Sequence, residues 1–135
     1  MNSEKSFLDA EVMIWNSASG RGVLRPNTII SGVLADEVKK DHNLRFFQVA
    51  RNSTIGDECL DYLARYMALQ EGEEKSDRKG NAELINEISK RGHLFAMLGG
   101  ATELKIPLLK KMLEERITKI KAMTETTRIE YLNSL

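Results

Sequence analysis

The sequence predicts an all-α fold: a small domain of five or six helices with a long C-terminal amphipathic helix. Apolar residues recur at three- and four-residue spacings in several separate stretches. Strand-like alternation is almost absent, and the breaks between stretches are short and polar. At 135 residues the chain has the length of one domain. A chain of that size buries roughly two thirds of its unfolded surface and needs no disulfide or metal to fold.

The first expected helix begins after Ser3 and Ser6, with Asp9 in its first turn and an apolar face of Phe7, Leu8, Ile14 and Trp15. Ser17 to Gly22 breaks it, because glycine and serine offer turn conformations and local hydrogen bonds that compete with the helix. Pro26, Asn27 and Thr28 start a second helix with a stripe of Ile29, Ile30, Val33, Leu34 and Val38. Gly32 inside that stripe costs about 1 kcal/mol against alanine, which predicts a close contact or a bend there. Asp41-His42-Asn43 ends the element. Leu44 to Val49 suits a short helix or one strand, and helix is favoured because a lone strand would lack a partner.

Thr54 and Asp57 open the next helix, with Leu60, Leu63, Ala64 and Met67 on one face and Tyr62 and Tyr66 flanking it. Residues 71–80 contain no apolar side chain and are expected to form an exposed loop or linker. Asn81 is expected to cap a helix carrying Leu84, Ile85 and Ile88, which continues or restarts after Gly92 through Leu94, Phe95 and Leu98. The organisation that follows is an N-terminal helical part over 1–70, a polar linker over 71–80 and a C-terminal helical hairpin over 81–135, with both parts able to share one core.

Basic and acidic residues balance at 20 each, which argues against nucleic acid holding the whole surface by bulk charge. No stretch of about 18 apolar residues is present, so no membrane span is expected. The first residues carry no signal-peptide core. A reducing, cytoplasmic setting is the expectation. Cys59 is the single cysteine, which rules out an intrachain disulfide and a cysteine metal cluster. A thiol beside an apolar stripe reads as a small core residue.

Phosphate-loop, nucleophile-elbow and zinc-helix motifs are missing, and neither a cofactor nor an enzymatic activity is expected. Ser17, Gly20 and Gly22 read as a plain turn. His42 and His93 are far apart and support no metal spacing.

The strongest signal is Thr102 to Leu135, read as one helix after Gly99-Gly100. Leu113, Ile117, Ile120, Thr124, Thr127 and Tyr131 follow the alternating spacing of a helix seam, with Lys110, Lys111, Glu114, Glu115, Lys119 and Lys121 outside it. That seam predicts a non-enzymatic protein that associates with a protein partner, as a homo-oligomer, and serves as an adaptor or regulator. The alternative is a DNA-binding regulator with a helix-turn-helix-like segment around 94–112. In it Gly99-Gly100 forms the turn, and Lys105, Lys110, Lys111, Arg116, Lys119 and Lys121 meet nucleic acid. Those six basic residues face two acidic ones over the same stretch, but Pro107 delays the helix start to about Ile106.

Overall fold

In a computed structural model, residues 12–16, 19–25, 31–41, 43–49, 55–69 and 78–135 are described. The expected Ser6 cap, the starts at Pro26 and Thr54, Ile29, Ile30, His42 and residues 71–77 lie outside them. The described chain runs β1 (Val12–Asn16), β2 (Arg21–Arg25), α1 (Gly32–Lys40), β3 (Phe46–Gln48), α2 (Asp57–Leu69), α3 (Arg78–Lys90), α4 (Leu94–Glu103), α5 (Pro107–Lys121) and α6 (Glu125–Ser134). The domain is mostly helical, with a small mixed sheet of order β2-β1-β3.

The sheet corrects two expectations. Ile14 and Trp15 lie on a strand rather than a helix, and Phe46 and Phe47 lie on the strand that pairs with it. β1 and β2 form an antiparallel hairpin in which Trp15 faces Gly22. β3 joins β1 in parallel, with Phe47 opposite Ile14. Val12 and Ile14 are buried and Met13 and Trp15 are half-buried, so β1 is covered on both faces and shows no clean alternation in sequence. The hairpin turns at Gly20, whose φ of 73° suits glycine and whose N–H donates to the Asn16 carbonyl at 2.9 Å.

Ser31 caps α1. Its hydroxyl accepts from the Leu34 N–H at 3.2 Å and donates to the Leu104 carbonyl. The Gly32 N–H donates to the Lys105 carbonyl at 3.0 Å. A Cβ on Gly32 would sit 3.3 Å from that carbonyl oxygen and from the Lys105 Cβ, so this glycine serves a close contact. The start of α1 is thus seated on the Leu104 and Lys105 carbonyls just past the end of α4, which give its first N–H groups partners. Ser31→Ala removes the cap and one partner of a buried carbonyl, and is expected to cost about 2 kcal/mol in urea unfolding.

α2 supplies the centre of the core through Cys59, Leu60, Tyr62, Leu63, Tyr66 and Met67, and packs on β2, α3 and α4. α3 begins at Arg78, ahead of the expected Asn81 cap, so 78–80 are helix rather than linker. Asn81 lies inside the helix, and its Oδ1 accepts no hydrogen bond among the described residues. Gly92, with φ of 75°, separates α3 from α4. One continuous buried cluster runs from Val12 to Ile117. No helix among the described residues is long and apolar enough to cross a membrane.

Candidate association surface

The stretch 102–135 is not one helix. α4 continues through Gly99 and Gly100 to Glu103, and the chain turns at Leu104-Lys105-Ile106. Gly100 is buried beside Ile55 and Cys59 within α4, and it does not act as a turn. Lys105 takes the left-handed conformation, φ 56°, that closes the turn. Pro107 then occupies the first turn of α5, the one place in a helix where a missing N–H costs nothing.

A second break falls at Ala122-Met123. Thr124, with φ of −67° and ψ of 161°, starts α6 as an N-cap that accepts from the Thr127 N–H at 3.3 Å. Glu125 adds a favourable charge to that first turn.

This break divides the six expected seam residues. Leu113 and Ile117 are buried with Leu109 in the domain core, and Ile120 packs against the core from its edge. Thr124 and Thr127 are exposed and bond to each other through their hydroxyls at 2.8 Å. Tyr131 is half-buried on the other helix, with Lys119 Nζ 4.8 Å and Arg116 Cζ 5.6 Å from its ring centroid. The apolar half of the stripe therefore belongs to the chain's own interior. What faces outward is the opposite side of α5, with Leu108 66% exposed, and α6, with Ile129 54% exposed.

The six basic residues do not converge either. Arg116 donates to the Ser89 hydroxyl on α3 at 3.0 Å, and Ser89 donates to the Ile85 carbonyl at 2.7 Å. Lys119 stacks on Tyr131, and Lys121 Nζ lies 5.5 Å from the Phe95 ring centroid. Lys105, Lys110 and Lys111 remain on the turn and the free side of α5, where Lys111 shares the surface with Glu114 and Glu115. With the glycine pair inside α4, the helix-turn-helix reading loses its expected turn, and the cations ring α5 instead of forming one basic face.

Sequence spacing gave no sign of the polar pairs that cross the core. Tyr62 and His93, 31 positions apart, meet hydroxyl to Nδ1 at 2.8 Å. The Arg91 guanidinium lies 5.9 Å from the Tyr62 ring centroid, on the same α3–α4 turn. Burial pushes the Tyr62 phenol above its ordinary value while Arg91 pulls it down, and burial pushes Tyr66 up as well. Both phenols thus hold their protons to higher pH in the folded chain than in the unfolded one. Their contribution is fully present below the unfolded value of 10.0 and is lost as pH rises through the folded values. Unfolding free energy is expected to fall above about pH 10, and Tyr66→Phe is expected to flatten that fall in pH-dependent urea titrations.

Burial also pushes the Cys59 thiol up, which keeps it protonated and unreactive. Among the described residues, no group of three or more His, Cys, Asp or Glu side chains converges on a metal-sized site. Comparison with protein-family models, curated proteins and solved structures finds no significant match for this chain.

Proposed function

We propose that this is a non-enzymatic interaction protein that self-associates through its C-terminal helices and acts as an adaptor or regulator in a reducing, intracellular setting. The observation that supports the reading is α6. It is ten residues long and buries no residue, yet it carries Ile129, Tyr131 and Leu132. An isolated helix shorter than about 12 residues is marginal in water, and most helical stability comes from tertiary packing. Within the chain α6 touches α3 and is held by the Tyr131 stack and by Arg128, whose Nε and Nη2 reach the Ile120 and Met123 carbonyls, both at 3.4 Å. A second surface on its exposed side supplies the packing that these peripheral contacts leave short.

Amide hydrogen exchange at low and high protein concentration tests this. Protection across 125–134 is expected to rise with concentration while the α2 amides stay unchanged. Exchange in α6 that is independent of concentration contradicts the reading.

A further inference from the structure

The break between α5 and α6 is narrow. Ala122 still has right-handed helical angles, φ −76° and ψ −11°, and Thr124, two residues on, is extended. Neither glycine nor proline occurs after Pro107, and Ala122 and Met123 are both good helix formers. The stripe Leu113, Ile117, Ile120, Thr124, Thr127 and Tyr131 keeps its spacing of three and four straight across the break, although the folded-back chain has no need of that continuity. Few contacts hold the fold-back. They are the Thr124 cap, Arg128 on the Ile120 and Met123 carbonyls, Tyr131 beside Arg116 and Lys119, and the edge of α3.

We propose that two copies of the chain exchange α6. The break straightens, α5 and α6 become one helix from Pro107 to Ser134, and each α6 takes its counterpart's place on α3 and α5 of the other copy. This rests on the self-association reading and names the partner of α6. The seat is the one α6 occupies in the single chain, so a second copy fits it with contacts that already exist.

The geometry closes about a two-fold axis. Tyr131 lies beside Arg116 and Lys119, so α6 runs back antiparallel to α5, and these pairs are centred on about residue 124. An axis at that level, perpendicular to two fused antiparallel helices, sets Tyr131 of each beside Arg116 and Lys119 of the other. At about 100° per residue, Ile120, Thr124, Thr127 and Tyr131 span only about 60° of the fused helix, and a two-fold turns that stripe onto itself. Thr124 and Thr127, exposed in the single chain, are then covered near the axis. Straightening also gives the Thr124, Glu125 and Thr126 N–H groups the carbonyls of Ile120, Lys121 and Ala122 as helical partners. It gives up the Thr124 cap and the Arg128 contacts.

Sedimentation of the full chain with three variants tests the exchange. Glu125 is the first residue of α6, where proline suits the folded-back form. The N–H it removes has no helical partner there, and Thr124, with ψ of 161°, already holds the extended conformation that a following proline favours. In the fused helix the same position is interior and proline breaks it. Glu125→Pro is expected to weaken association about a hundredfold or more, with the circular dichroism of the dilute chain unchanged. Glu125→Ala, which loses the charge alone, is expected to associate at least as well as wild type. Thr124→Ala removes a cap that only the folded-back form uses, and is expected to strengthen association about fivefold or more.

A folded Glu125→Pro that associates like wild type overturns the exchange and leaves docking on the outer side of α6, so self-association stands. Weakening by Glu125→Ala as large as by proline overturns it too. If Glu125→Pro does not fold, Thr124→Ala decides: unchanged or weaker association overturns the exchange. A wild type that sediments as one chain throughout overturns both readings.

Discussion

Leu113→Ala is expected to lower the unfolding free energy by about 3–5 kcal/mol, the upper range for removing a buried leucine. Leu113 is fully buried, and Leu109 and Ile117 lie on the same inward stripe of α5. The side chain fills the region where α5 meets α3 and α4, and the void left by alanine has rigid neighbours on several sides. Domains are typically stable by only 5–15 kcal/mol, so the loss is a large share of the total. The measurement is urea unfolding of dilute protein, where association contributes nothing. A seam leucine at a protein–protein contact behaves in the opposite way: its truncation weakens association and leaves dilute-protein stability near wild type. An unchanged urea midpoint would remove Leu113 from the core.

Gly22→Ala is expected to cost about 2–3 kcal/mol, as overpacking at a site that cannot yield does. The position has no unusual backbone angle; its constraint is proximity. A Cβ there would lie 2.8 Å from the Ile14 carbonyl oxygen and 3.0 Å from Met13 Cγ and Trp15 Cε3. The two side-chain atoms can shift, but the carbonyl belongs to β1, which is hydrogen-bonded on both sides. Relief therefore means opening the hairpin. Trp15, the only tryptophan, sits opposite Gly22 and reports on the change through its fluorescence. Wild-type stability and emission in this variant would contradict the close packing of ring on backbone.

The helices were legible in the sequence because their apolar stripes are local. Leu60, Leu63 and Met67 fall on the buried face of α2 as their spacing predicts, and Leu84, Ile85 and Ile88 do the same on α3. The sheet was not legible, because its decisive pairing is remote. Phe46 to Gln48 becomes a strand only through β1, more than thirty residues earlier, and parallel pairing needs the intervening crossover.

Glycine misled in the other direction. Gly99-Gly100 reads as punctuation, but both glycines lie within α4, with Gly100 buried beside Cys59 and Ile55. The break at Thr124 did carry a local signal. Thr124 followed by Glu125 is a cap with a first-turn acid, and the regular seam spacing across it hid the start of a new helix. Of the stripe read as a seam, Leu113 and Ile117 lie in the chain's own core, while Thr124 and Thr127 are exposed on α6.

Sedimentation equilibrium on the unmodified chain, from about micromolar to several hundred micromolar, tests the central claim most directly. The predicted result is an apparent mass that rises with concentration from 15.3 kDa toward twice that value or beyond. A mass of 15.3 kDa at every concentration would contradict the account.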